Sequence, residues 1–125
     1  MLLNANNTHD AAPITLACDY SSSVDEKGNS TEISGSVGMT ISIKNGQFVA
    51  MTDNTCQGYF GQATDQKLTG SCEVQIQETP QMTVHSELSL NRITGELTIT
   101  YSIKEGRKRN GLVHFGKCRR VEKLF

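Results

Sequence analysis

Apolar and polar residues alternate at every second position through most of this chain, and this pattern constrains the fold more than any other feature. Successive side chains of a β-strand point to opposite faces, so a period of two is typical of strands with one buried face. The spacing of an amphipathic helix persists nowhere for three turns. The sequence therefore predicts an all-β domain, an antiparallel meander of seven to eight short strands that forms a small barrel or a sandwich.

The chain has 125 residues, which is enough for one domain with a sizeable core. Residues 1–12 are polar and unpatterned, and they are predicted to form a flexible N-terminal arm ahead of a single β domain over residues 13–125. No run approaches the roughly 18 apolar residues that a membrane-spanning helix needs, so no membrane span is expected.

The clearest predicted hairpin runs from Met82 to Ile103. A four-residue loop from Arg92 to Gly95 places every apolar residue of both strands on one face and leaves the other face polar, as in a sheet with one solvated side. The predicted pairs are Leu90 with Leu97, Leu88 with Ile99, Ser86 with Tyr101 and Val84 with Ile103.

A second hairpin turns at Asn45-Gly46, and two arrangements are compatible with it. A three-residue loop that ends on a left-handed Gly46 keeps more apolar area on one face, and we expect this form. A two-residue turn is the alternative. The three-residue loop pairs Ile41 with Val49 and Met39 with Met51. The two-residue turn pairs Ile43 with Phe48 and turns Val49 and Met51 to the other face.

Two further expectations concern the first and last strands. The first strand carries Cys18 and Tyr20 on its inner face and is followed by a predicted loop over residues 21–30, which are rich in Ser, Gly, Asn and charge. The last strand begins at Gly111 with Phe115 pointing inward. A bulge at Gly116 would then turn Cys118 to the same side.

The four cysteines are widely spaced, and no two form the close pair that a zinc site usually uses. Their even number predicts two disulfides and an oxidising compartment, the alternative being four buried thiols in a cytosolic domain. A hairpin centred on Thr64 would place Cys56 opposite Cys72. Cys18 and Cys118 would then join the first strand to the last, although four cysteines allow three connectivities.

The N-terminal residues lack the basic and apolar regions of a signal peptide. For a periplasmic or secreted protein, which the disulfides suggest, the signal peptide would be absent from this sequence.

Three stretches carry a family resemblance: the early Cys18-Asp19-Tyr20, the turn from Asn91 to Leu97, and the ending Gly116-Lys117-Cys118. They resemble small exported β proteins of proteobacteria, which open with a cysteine-bearing strand and close with Gly-x-Cys. The resemblance covers about a third of the chain and implies a structural framework of turn, bulge and bridge. It implies no activity, so no functional residue follows from it.

No arrangement of nucleophile, base and orienting group is visible in the sequence. His9, His85 and His114 are interpreted as ordinary surface or edge histidines, and no carboxylate or cysteine has the spacing to complete a metal site with them. We therefore expect no catalytic residues, no metal and no cofactor.

Charge is distributed unevenly along the chain. Residues 104–125 carry a net charge of +6 and residues 1–103 a net charge of −7. If the last hairpin tip and the C-terminus lie on the same side, they form a basic patch for an acidic partner. The segment lacks interleaved aromatic residues for base stacking, which argues against nucleic acid. The residues of this predicted patch are Lys104, Arg107, Lys108, Arg109, Arg119 and Arg120.

The sequence thus predicts a non-enzymatic exported β domain that binds a macromolecule, namely another protein, in the manner of an inhibitor or immunity protein. One alternative is a carrier of a small apolar ligand in a hollow, lipocalin-like barrel. Another is a cytosolic protein that binds an anionic partner. The sequence identifies neither the partner nor the oligomeric state.

Overall fold

The computed structural model describes residues 11–53, 56–77 and 81–121, and these residues form nine antiparallel β-strands and no helix. The strands are β1 (Ala11–Asp25), β2 (Ser30–Glu32), β3 (Ser36–Lys44), β4 (Gln47–Thr52), β5 (Gly58–Ala63), β6 (Lys67–Ile76), β7 (Met82–Asn91), β8 (Glu96–Glu105) and β9 (Lys108–Arg120). The part of the chain that is described holds no helix long and apolar enough to span a membrane.

The sheet closes on itself because β1 has neighbours on both sides. It pairs with β3 along one edge and with β9 along the other, while β3 to β9 follow one another in chain order. Eight strands thus form a closed antiparallel barrel, and the three-residue β2 adds to β1 outside this ring. The predicted all-β meander is confirmed, in its barrel form.

The predicted alternation places the core inside the barrel. Leu16, Leu68, Leu90 and Ile99 have no exposed surface, and polar neighbours face outward along the same strands. The hairpin of β7 and β8 has every predicted pair, including Leu88 with Ile99. Burial of this apolar face is the main stabilising contribution to such a fold.

The preferred form of the β3–β4 hairpin was wrong. Asn45 and Gly46 both have positive φ angles, 53° and 74°, and they form a two-residue turn that pairs Ile43 with Phe48. A turn with two left-handed residues matches the right-handed twist of the flanking strands, and this preference outweighs the apolar area that the longer loop retains. Met51 consequently points outward and is 53% exposed.

The first and last strands also differ from the prediction. β1 begins at Ala11, two residues before the predicted domain start, and continues through Asp25 where a loop was expected. The irregularity lies in β1 between Tyr20 and Ser22, not at Gly116. β9 therefore alternates without interruption, so Phe115 faces outward, 39% exposed. β9 also begins at Lys108 and not at Gly111. Residues 1–10, with His9, lie outside the described residues.

Both predicted disulfides are present, Cys18–Cys118 and Cys56–Cys72. Cys18 and Cys118 are direct partners across the β1–β9 seam, so this bond joins the strands that close the barrel. The predicted hairpin centre at Thr64 was wrong, because Phe60 pairs with Ser71 and Cys56 precedes β5. The two bonds are compatible with an oxidising compartment.

Candidate functional site

The strands differ in length, and as far as the described residues go, this leaves the inner face uncovered at one end of the barrel, which we call the open end. β4 and β5 have 6 residues each, whereas β6, β7 and β8 have 10 and β9 has 13. The β5–β6 pairing stops at Phe60 and Ser71. Beyond it, no described strand pairs with residues 72–76 of β6 on the side away from β7, and we call this segment the free edge.

The inner side chains at the open end form a curved apolar surface, which we call the concave face. All of them are half-buried, in contrast to the fully buried core below. They lie on four adjacent strands that are hydrogen-bonded to one another. The concave face consists of Val74, Ile76, Met82, Val84, Ile103 and Leu112.

A cluster of two tyrosines and one histidine forms the floor of the concave face. The ring of His114 lies edge-on between the rings of Tyr20 and Tyr101, with centroid distances of 5.1 Å to each. Burial raises the pKa of Tyr101 well above its ordinary value, and the neighbouring Tyr20 phenol, which is hydrogen-bonded to it, raises it further. The cluster is therefore neutral and largely shielded from water.

His114 is held without a compensating hydrogen bond at one ring nitrogen. Among the described residues, its buried Nδ1 atom has no partner. Desolvation by burial lowers the pKa of His114 below its ordinary value of 6.5, because the charged imidazolium is poorly solvated there. Ser23, which is 7% exposed, is its direct partner across the β1–β9 ladder.

The lowered pKa of His114 predicts a loss of stability in mild acid. As the pH falls, His114 is protonated in the unfolded chain at a higher pH than in the folded chain. The contribution of neutral His114 to the free energy of unfolding is therefore complete above pH 6.5 and is lost progressively below it. We expect the wild-type protein to lose more stability than His114→Phe between about pH 7.5 and pH 5.5, as measured by urea unfolding. An equal loss in His114→Phe and wild type would contradict the prediction.

Below the Tyr–His cluster the barrel is filled. The Tyr59 hydroxyl lies 2.6 Å from Ser86 Oγ, and both residues have no exposed surface. Leu88, Leu97 and Ile99 continue the packed interior toward the other end. The concave face is thus a shallow surface above a solid core.

The rim of the open end is charged. The turn after β1 is held by Asp25, whose carboxylate accepts hydrogen bonds of 2.9 Å from the backbone N–H groups of Asn29 and Lys27. These bonds, that of Asn29 first, lower the pKa of Asp25. A groove of about 420 Å³ runs between this turn and the concave-face residues Ile103 and Leu112.

The predicted basic residues divide into two groups. Lys104, Arg107, Lys108 and Arg109 lie together at the β8–β9 turn, on the rim of the open end, and we call them the basic tip. No carboxylate of a described residue lies within 4 Å of their charged atoms. Toward the described part of the chain, these four cations are therefore free of ion pairs.

The other two predicted basic residues are not near the tip. Arg119 pairs with Ala17 and Arg120 with Leu16, at the opposite end of β9. Strands rise about 3.3 Å per residue, which separates the two groups by roughly 35 Å along this strand. The structure therefore does not bring all six cations into one patch.

The two described histidines lie on opposite faces of the sheet. His85 is on the outer wall, 3.7 Å from a carboxylate oxygen of Glu73 and 3.4 Å from one of Glu87. His114 faces inward, so the two rings do not converge. The described residues include no group of three or more histidine, cysteine or acidic side chains that is arranged to hold a metal ion.

The Tyr–His cluster and the place of Leu112 in the concave face were not predicted, because the expected bulge at Gly116 turns Leu112 and His114 outward and the expected loop over residues 21–30 ends β1 early. A signal was nevertheless present. Leu112, His114 and Cys118 share even numbering, so an uninterrupted strand places all three on the inner face. The inward position of Cys118 therefore indicates which residues of β9 face the interior.

No family model, no curated protein and no solved structure matches this chain.

Proposed function

We propose that this protein is an exported, non-enzymatic recognition domain that binds another protein at the open end of the barrel. The observation that carries the proposal is the half-buried concave face beside a free strand edge. Apolar surface that a domain leaves partly exposed, bordered by charge, is typical of interaction sites. The periplasm or the extracellular space is the proposed location, since two disulfides brace the domain.

The free edge favours an extended segment of the partner. Unpaired N–H and C=O groups on a strand edge can accept an added strand, and alternate side chains of that strand then enter neighbouring pockets. Here the inner side chains of the edge, Val74 and Ile76, belong to the concave face itself. An added strand would gain main-chain hydrogen bonds and apolar burial at the same place.

The basic tip adds selection by charge. Protein interfaces commonly have an apolar centre and a polar rim, and rim charges mainly raise the association rate and reject partners of like charge. The solvated cations at the β8–β9 turn favour a partner with acidic residues flanking the apolar segment.

A small-ligand carrier is the competing proposal. Carriers of this architecture enclose a ligand inside the barrel and bury most of its surface. In this chain the interior below the Tyr–His cluster is occupied by side chains such as Tyr59, Leu88 and Ile99, all 0 to 1% exposed. This filling supports surface recognition over enclosure.

Affinity capture with matched variants tests the proposal. The oxidised protein, Ile103→Lys and Ser102→Lys would be used as bait on the native periplasm or culture medium, with bound proteins identified by mass spectrometry. Ile103 lies on the concave face and Ser102 is its outward neighbour, so both variants add the same charge to the same strand. We expect one protein to be captured by wild type and Ser102→Lys and to be lost with Ile103→Lys.

The same capture tests the role of the basic tip. Reversing Arg107, Lys108 and Arg109 to glutamate should weaken capture and reduce its dependence on salt. A partner retained by Ile103→Lys as well as by wild type would contradict binding at the concave face. A small apolar molecule that copurifies with wild type and is lost with Ile103→Lys, without any protein, would favour the carrier.

A further inference from the structure

A second surface with distinctive chemistry lies on the outer wall, away from the open end. The outer faces of β3, β4 and β5 border a groove of about 690 Å³, which is within the size range of ligand-binding clefts. We call it the outer groove. Its outward side chains include Ser42, Asn45, Gln47, Val49, Phe60 and Gln62.

The apolar part of the outer groove is centred on Phe60, whose side chain is unusually exposed for an aromatic residue in a strand. Phe60 is 61% exposed and is the direct cross-strand partner of Val49. Met51 extends this apolar strip: its sulfur and the Phe60 ring both lie 3.5 Å from the position that a Cβ atom on Gly58 would occupy. Much of the surface of the aromatic ring is therefore open to solvent.

The polar part of the outer groove is neutral. Gln47 and Gln62 are direct cross-strand partners, next to the Val49 and Phe60 pair on the same face. Asn45 and Ser42 add an amide and a hydroxyl, and of the described residues that line the groove only Lys44 is charged. Each amide offers both donors and acceptors.

This combination matches a sugar. A pyranose ring has one face of polarised C–H bonds, which pack on the electron-rich face of an aromatic ring. It also has hydroxyl groups that donate and accept, as side-chain amides do. We infer that the outer groove is a binding site for a neutral oligosaccharide chain, with Phe60 as the platform and Gln47 and Gln62 as hydrogen-bonding partners.

A protein occupant fits this groove less well. The centres of protein interfaces are enriched in aromatic residues, methionine and arginine. The described lining of this groove instead exposes one aromatic ring, that of Phe60, among three amides and one hydroxyl. A symmetric contact with a second copy of the chain would pair this surface with itself, and it would make the amide signals depend on protein concentration. The inference is independent of the proposed function, since the residues of the outer groove and of the concave face do not overlap.

Titrations followed by NMR test the inference directly. The ¹⁵N-labelled, oxidised protein would be titrated with cellohexaose, hexa-N-acetylchitohexaose and maltohexaose, and with hexagalacturonate as an anionic comparison. We expect saturable shifts of amide signals from residues 42–49 and 58–63 with at least one neutral hexasaccharide, at a dissociation constant of about 1 mM or below. The galacturonate should bind more weakly than that sugar.

Matched variants distinguish a specific contact between the sugar and Phe60 from nonspecific effects of changing an exposed apolar residue. Phe60→Ala should weaken binding about tenfold or more, and Gln47→Ala with Gln62→Ala about fivefold. Phe60→Thr, which retains a good strand-forming residue, repeats the first test if the alanine variant is unfolded. Ile93→Ala removes a 48% exposed apolar side chain in the β7–β8 turn and should leave the dissociation constant unchanged.

Three outcomes would overturn the inference. The first is the absence of saturable shifts with every neutral hexasaccharide up to about 10 mM. The second is binding that Phe60→Ala and Phe60→Thr, both folded, leave unchanged. The third is that the same amides shift with protein concentration alone, which would assign the groove to a second copy of the chain.

Discussion

Removal of the Cys18–Cys118 disulfide is expected to lower the free energy of unfolding by about 4 to 5 kcal/mol, the largest effect of any single bond in this molecule. The two cysteines are 100 residues apart in sequence, and the entropy that a crosslink removes from the unfolded chain increases with the length of the closed loop. The same bond holds the β1–β9 seam, so its loss also loosens the contact that closes the barrel. Such a loss is a large fraction of the stability of an ordinary domain.

The second disulfide provides the matched control. Cys56 and Cys72 are 16 residues apart, and the same relation gives about 3 kcal/mol for their bond. Urea unfolding of Cys18→Ala with Cys118→Ala, compared with Cys56→Ala with Cys72→Ala, measures both losses. The seam variant should be the less stable of the two. Equal stability, or a greater loss in the Cys56 and Cys72 variant, would contradict the larger contribution assigned to the long loop that Cys18–Cys118 closes.

Gly61→Ala is expected to destabilise the barrel by about 3 kcal/mol, because no side chain fits between β5 and β6 at this point. Gly61 and Gly70 are direct partners, and a Cβ atom on Gly61 would collide with the backbone carbonyl oxygen of Thr69. The ring of Phe48 covers the inner side of the pair, at 2.7 Å from where a Cβ on Gly70 would lie. Since the colliding atoms are backbone, the strands themselves must move apart.

Gly58→Ala is the control for this prediction. It lies on the same strand, and a Cβ there would meet only side-chain atoms at ordinary contact distances of 3.5 Å. We expect its free energy of unfolding to stay within about 0.5 kcal/mol of wild type, or to rise slightly as the unfolded chain becomes less flexible. Urea unfolding of both variants checks the pair. If Gly61→Ala were as stable as Gly58→Ala, this result would contradict the close contact between β5 and β6 at Gly61.

Sequence periodicity was sufficient for the parts of the fold governed by local pattern. The β7–β8 hairpin was predicted pair by pair, because its strands alternate without interruption around one loop. Both disulfides were predicted as well. The Cys56–Cys72 pair came from a hairpin centre at Thr64 that proved wrong, and Cys18–Cys118 was the remaining pair, which joins the first strand of a closed sheet to the last.

The errors arose where two local requirements competed. At Asn45-Gly46 the twist preference of the turn outweighed apolar area, and every residue of β4 changed face. At the seam, an inward Phe115 required a bulge in β9, whereas the structure keeps β9 regular and places the extra residue in β1, between Tyr20 and Ser22. Placing it in β1 turns His114 inward, and the Tyr–His cluster follows from that single choice.

The candidate site was less predictable than the fold for a different reason. It depends on unequal strand lengths, which leave Val74 and Ile76 half-buried beside an edge, and strand ends are poorly marked in sequence. The basic tip was foreseen as charge, but its separation from Arg119 and Arg120 required the strand direction of β9.

Hydrogen exchange of the backbone amides in the free protein tests most directly whether the barrel is closed along the β1–β9 seam and uncovered at its open end. Local openings expose individual amides at free energies between zero and that of global unfolding. We predict slow exchange along β3, β7 and the β1–β9 seam, and an alternation over residues 72–76 of β6, where amides directed at β7 are protected and those on the free edge exchange rapidly. Uniform slow exchange across residues 72–76 would mean that the edge is covered, and it would contradict an open end available to a partner.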